Sequence, residues 1–232
     1  MRRLPLTAAS ALVIAACALN ACGSSSPSGN GVAAKAPAEI VAATRAAADG
    51  ARSVHLSGKI VSNGSPIALD LELVAGKGGH GRIAENGLSF DLIQLGNTVY
   101  ISGSPAFYRH VGGSAAAQLF QGKWLKASAS SPDFASISSL TDLHKLVDTT
   151  LVSHGALAKG AVTTVNGQKV VGIKDTSQGG TLYVATTGAP YPIEVSKNGG
   201  SAGKIVFDRW NVPVALAAPA NAVDIAQLRA GH

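Results

Sequence analysis

The sequence predicts an α+β fold, one large antiparallel sheet with helices packed on one face, and three observations predict it. Many segments alternate apolar and polar residues with a period of two, the pattern of strands wetted on one side. Five Asn–Gly or Gly–Asn pairs fall between such runs, and both residues accept the positive φ that tight hairpins need. A middle stretch switches to helical spacing, so the order runs helix, strands, helices, strands, helix.

The first element is a helix over "APAEIVAATRAAADG". Pro37 suits its first turn, Ile40, Val41, Thr44 and Ala47 share a face, and Gly50 can close it. Strands follow. "SVHLSGKIV" sets Val54, Leu56 and Ile60 against His55, Ser57 and Lys59, and "PIALDLELV" sets Ile67, Leu69, Leu71 and Leu73 against Ala68, Asp70 and Glu72. "LSFDLIQL" and "TVYISG" continue the sheet. The hairpin signals are Asn63-Gly64, Asn86-Gly87, Gly96-Asn97, Asn166-Gly167 and Asn198-Gly199. "SAAAQLF" and "SPDFASISSLTDLHKLVDTTLVSHG" are helical, with Phe134, Ile137, Leu140, Leu143, Leu146, Val147 and Leu151 in register, Asp133 and Thr141 as caps and Gly155 as terminator. Strands resume in "AVTTVNGQKVVGIKD", "TLYVAT", "YPIEVSKN" and "KIVFDRW", and "NAVDIAQL" closes as a short helix.

The composition is that of a folded chain, 46% hydrophobic and 14% charged, and its length leaves ample material for a core. The net charge of +6 falls to +4 without Arg2 and Arg3, and the remaining cations are spread singly. Nucleic-acid binding needs clustered cations to displace counterions, so that class is set aside.

The start of the chain, "MRRLPLTAASALVIAACALNAC", has a positive head, an apolar middle and small residues leading to Cys22. It reads as a secretory signal, too short for a comfortable membrane-spanning helix. Its end resembles the lipobox of bacterial lipoproteins: Leu19-Asn20-Ala21-Cys22, then Gly23, with Asn20 where a smaller residue is usual. Ile14-Ala15-Ala16-Cys17 fits the letters too, but more apolar chain follows it, whereas "GSSSPSGNG" follows Cys22 as a polar tether. The expected organisation is a lipoprotein signal peptide over 1–21, a flexible tether over 22–36 from lipidated Cys22, and a single domain over 37–232. Once Cys17 leaves with the leader no disulfide is available, and stability must come from the core.

Motifs with catalytic spelling have structural readings. "GKGGHG" (76–81) matches a dinucleotide fingerprint, but a strand and hairpin follow it where a helix would be needed. "GGSAG" (199–203) matches a nucleophile elbow, but Ser201 lies between two strand-like runs, the place of a hairpin loop. The six histidines show no metal-ligand spacing. His144 and Asp148 can meet across one helical turn as a surface pair, and Asp70 and Glu72 share the wet face of a strand. No acid–base or nucleophile set emerges, so the chain is read as a non-enzyme without cofactor or metal.

The order of elements, the lipobox leader and the segments "GNTVYISG", "GKWLKAS", "GGTLYVATTGAPYPIEVS" and "KIVFDRWNVPVALAAP" resemble the LppX/LprAFG family of mycobacterial cell-envelope lipoproteins, and more distantly LolA-type carriers. The resemblance covers most of residues 37 to 228. It implies a strongly curved antiparallel half-barrel, with helices covering its concave face and acylated lipids or glycolipids bound in an apolar cavity between them. It also implies attachment to the outer side of the cell membrane through Cys22, and an envelope transport partner. Periodicity then supplies cavity-lining candidates: Leu69, Leu71, Val99 and Ile101 on the sheet, and Leu140, Leu143 and Leu146 on the helices. The competing expectation is a structural or regulatory envelope lipoprotein whose core is filled and which acts through a protein partner.

Overall fold

A computed structural model describes residues 29–62, 64–152, 154–199 and 202–230. The signal segment, Cys17, Cys22, Asn63, Ser201 and the start of the tether lie outside the described residues. Helix α1 spans Pro37–Asp49, with Pro37 in its first turn, and Glu39 Oε2 accepts a 2.9 Å hydrogen bond from the Ala36 N–H. Five strands follow as a meander: β1 (Ser53–Ser62), β2 (Ser65–Val74), β3 (Gly78–Glu85), β4 (Leu88–Leu95) and β5 (Thr98–Gly103). Helix α2 (Pro105–Phe120) leads to β6 (Leu125–Ser128), and α3 (Ala135–Leu140) and α4 (Leu143–Val152) complete the middle. A second meander comprises β7 (Leu157–Val165), β8 (Gln168–Asp175), β9 (Thr181–Ala185), β10 (Pro192–Lys197) and β11 (Gly203–Asp208). A strap then leads to β12 (Val223–Asp224) and α5 (Ile225–Ala230).

The two meanders join where β1 pairs with β11, giving one twelve-stranded open sheet in the order β12-β6-β5-β4-β3-β2-β1-β11-β10-β9-β8-β7. It is the curved half-barrel of an α+β fold. Asn86 and Gly87 (φ 49° and 78°) and Asn166 and Gly167 (φ 49° and 77°) have the two consecutive positive φ values of a tight two-residue hairpin turn. The glycine-rich stretch before Arg82 is a hairpin turn at Gly76 and Lys77 followed by strand from Gly78, not a nucleotide loop. A β-carbon on Gly81 (φ 154°) would collide with the backbone carbonyl oxygen of Asp70 on β2.

Register puts Leu56 opposite Leu71, Leu71 opposite Gly81 and Gly81 opposite Leu92, and on the other side Leu56 opposite Phe207. One face of the sheet therefore carries an apolar row, Phe207, Leu56, Leu71 and Leu92, interrupted only at Gly81. Helices α1 and α4 lie on this face, and Ile40, Val41, Leu143, Val147 and Leu151 join Val54, Leu56, Leu71, Leu73, Ile173, Val184 and Phe207 in the main core. Each such side chain contributes about 1.5–3 kcal/mol on leaving water. The opposite face is a ladder of polar pairs across neighbouring strands. His55 lies 2.6 Å from Asp208 and 3.1 Å from Asp70, His80 lies 3.0 Å from Glu72, and Arg82 grips Asp91 at 2.7 and 2.9 Å.

Five expectations are corrected. The sheet is mixed, because β12 runs parallel to β6, with Val223 opposite Leu125 and Asp224 opposite Lys126. The segment read as helix from Asn221 begins with a turn at Asn221 (φ 57°) and runs extended at Val223–Asp224, where the Val223 N–H donates to the Trp124 carbonyl at 2.8 Å. Residues 29–36 are docked rather than tether: Val32 is buried, Asn30 Nδ2 donates to the carbonyls of Ala185 and Gly188, and Lys159 Nζ donates to those of Ala33 and Lys35. The cap of α4 is Asp142, whose Oδ1 accepts from the Lys145 N–H, while Thr141 is buried and donates to Gln94 Oε1 at 2.6 Å. His144 and Asp148 do not pair: His144 lies 3.6 Å from Asp49, and Asp148 accepts from Arg45 at 2.8 Å, so both tie α4 to α1.

Candidate functional site

The site begins with helix α2. Ser104 caps it, its Oγ accepting from the Phe107 N–H at 3.2 Å, and Pro105 fixes the first turn. Tyr108 links the two segments that flank the helix, the end of β5 and the turn before β6. Its hydroxyl accepts from the Gly103 N–H at 2.9 Å and donates to the Lys123 carbonyl at 3.3 Å, while the ring is 1% exposed. Burial pushes its phenol above the ordinary range. Gly103 is obligatory, because a β-carbon there would collide with the Phe107 ring. The helix is broken at Gly112 and Gly113, and Gly113 (φ 73°, ψ −169°) holds a conformation open essentially to glycine alone.

Between α2 and the inward face of β5 and β6 lies an apolar cavity of about 610 Å³. Its floor is Val99, Ile101, Leu125 and Ala127, and its roof is Phe107, Tyr108, Val111, Gly112, Ala116 and Phe120. Phe134 and Ile225 close its ends. Among the described residues no charged side chain lines it. The rings form a connected wall, with centroids 5.2 Å apart for Phe90–Phe107, 5.6 Å for Phe107–Tyr108 and 5.8 Å for Tyr108–Phe120. Three of the chain's five phenylalanines belong to this wall and a fourth, Phe134, lines the cavity, in a protein only 5% aromatic. Both the volume and the lining suit a small apolar ligand.

The polar face of the sheet carries a larger groove, about 880 Å³, lined by Asp70, Glu72, His80, Arg82 and Asp91 with Trp124 at its rim. Ala68, Leu69, Ala84, Leu92 and Ile93 line it as well, and its polar side chains are already paired across the strands, His80 with Glu72 and Arg82 with Asp91. A third hollow, about 280 Å³, sits by the C-terminal end of α4, lined by Leu151, Leu157, Ile173, Leu182 and Val195. At its border Asp175 accepts from the N–H groups of Gly155, Ser177 and Gln178. These bonds, the one from Gln178 foremost, hold its carboxyl below the usual range.

The predicted site residues divide between these regions. Val99 and Ile101 line the 610 Å³ cavity. Leu71 and Leu143 are fully buried in the main core, Leu69 is buried there as well, and Leu140 and Leu146 pack against it. Cys22 lies outside the described residues. The sequence reading missed Phe107, Tyr108, Val111, Phe120, Leu125 and Ile225. The available signal was the crowding of scarce aromatics between residues 90 and 134, headed by the Ser104-Pro105 helix start.

No family model matches the chain, and no curated protein matches it. Solved structures do. LprF from Mycobacterium bovis superposes with a TM-score of 0.54 at 13% identity, covering 80% of this chain and 97% of that one. The Mycobacterium tuberculosis lipoprotein LppX superposes with a TM-score of 0.53 at 16% identity, covering 78% of this chain and 98% of that one. At such identity the likeness is one of backbone course, extending over nearly the whole of both comparison proteins. The chain therefore has the LppX/LprF fold.

Proposed function

We propose that this protein is a lipid-binding, lipid-transferring lipoprotein of the cell envelope, held on the outer side of the membrane by lipidated Cys22 and without enzymatic activity. The observation that carries this reading is the 610 Å³ cavity, walled by aliphatic and aromatic side chains, with no charged side chain lining it among the described residues. Each methylene buried there contributes about 0.8 kcal/mol, so one acyl chain binds usefully without any polar grip. Likeness to LppX, itself a lipoprotein, supports the envelope location. The polar stretch after Cys22 is a tether that lets the domain work close to the bilayer.

Native mass spectrometry of the mature chain from an actinobacterial host tests the reading. The expected result is a stoichiometric adduct of one lipid class, lost on denaturation. In the variant Ala127→Phe a ring fills the floor of the cavity, and adduct occupancy should drop at least about tenfold, since several methylenes lose their place. A bare mass after incubation with total envelope lipid would overturn the carrier reading and leave a lipoprotein acting through a protein partner.

A further inference from the structure

The cavity has a mouth, and its chemistry indicates what it opens onto. Val111 lines the cavity yet is 60% exposed, so it stands at the opening. The helix breaks immediately after it, at Gly112–Gly113, and residues 109–115 are all exposed. Leu119, on the second half of the same helix, is 52% exposed. Along the chain on either side of this tip the charge is of one sign. Residues 92 to 132 contain no Asp or Glu, but they contain Arg109, Lys123 and Lys126, with His110 next to Val111. Lys126 is matched by Asp224 at 3.5 Å, whereas Arg109 and Lys123 make no ion pair among the described residues.

We propose that the kinked turn of α2 around Val111 docks on an anionic lipid bilayer, setting the cavity mouth against the acyl layer. The inference rests on the carrier reading and adds where the ligand enters. An apolar tip beside unpaired cations matches a surface of negative headgroups over hydrocarbon. A ligand passing there moves from one apolar medium to another without crossing water. The Gly112–Gly113 break lets the exposed turn stand out from the helix instead of packing on it.

The test uses the full chain in vesicles, so that anchoring at the N-terminal end is the same in every variant and only local insertion is read. Val111→Trp places a fluorophore at the tip, and the parent protein supplies the background of Trp124 and Trp210. In vesicles of phosphatidylcholine with phosphatidylglycerol, the added emission should shift to the blue and be quenched by brominated acyl chains. Adding Arg109→Glu should weaken that signal at least about tenfold, because a charge reversal near the surface counts as two lost cations. Val162→Trp, on an equally exposed valine of β7 (53%), should show no quenching. Emission at position 111 that ignores the vesicles, that is the same in pure phosphatidylcholine, or that is matched at position 162 would overturn the docking surface. The lipid adduct is measured separately. Insertion without an adduct would sink the carrier reading alone, and an adduct without insertion would sink the docking surface alone.

Discussion

Under α1 and α4 the inward face of the sheet is filled except for the 280 Å³ hollow at the C-terminal end of α4, whereas under α2 it stands open. In the closed region Leu56, Leu71 and Phe207 meet Ile40, Leu143 and Val147, and all six are buried to within 2%. In the open region Val99 and Ile101 occupy equivalent inward positions, and about 610 Å³ separates them from the roof. The strands of both regions alternate alike. The difference comes from the covering helices: α4 presents Leu143, Val147 and Leu151 as one stripe, while α2 is interrupted by two glycines and has its flanking segments linked through Tyr108. A helix that cannot present an unbroken stripe cannot fill the space beneath it, and the aromatic wall keeps that space from collapsing.

The sharpest way to break this comparison is to shorten one side chain on each side. Leu71→Ala should cost about 2–5 kcal/mol, toward the upper end, because its surroundings are packed and a new void opens. Ile101→Ala should fall toward the lower end, since fewer contacts are lost beside a space already empty. Urea unfolding of both variants gives the answer, and equal losses would mean the two regions are packed alike. Next in size is Gly113→Ala. Nothing lies within 4 Å of the added methyl, so the expected cost of about 1–3 kcal/mol is backbone strain alone. A stability loss near zero would show that the break in α2 relaxes freely.

The smallest effect is one of pH and belongs to the closed side. Asp175 has its carboxyl lowered by backbone N–H donors, so it favours the folded state above the unfolded carboxylate pKa and loses that contribution as pH falls through its lower folded value. Melting temperature should therefore fall less steeply with acid in Asp175→Asn than in the parent. A parallel fall in both proteins would remove Asp175 from the account.

Much of the sheet was legible because period-two alternation and Asn–Gly turns are local signals. The inward set Val54, Leu56, Leu69, Leu71 and Leu73 follows from them directly. Four features were not legible. Strand β6 is four residues, "LKAS", an alternation too short to read as a strand, and it exists because β5 offers it an edge. The first half of α2 was hidden by the glycines that interrupt its period. The docking of residues 29–36 depends on Asn30 reaching carbonyls more than 150 positions away. The cavity was half legible: periodicity assigns a residue to a face but says nothing of the depth above it, so Leu71 and Ile101 look alike in the sequence. Helical spacing likewise put Leu143 on a buried face without showing that the sheet beneath was already full.

The open sheet has a consequence for life at high concentration. A sheet that never closes leaves two rows of unpaired backbone groups, each a template for another chain. At one end β7 carries a bulge between Lys159 and Val162, and Lys159 is drawn inward to the carbonyls of Ala33 and Lys35, which spoils a flat edge. At the other end the two residues of β12 cap β6, with α5 beyond them. The C-terminal strap is thus a stopper against self-assembly. A chain ending before Val223 should keep its hairpins yet associate edge to edge, and the size of the species in solution would rise with concentration.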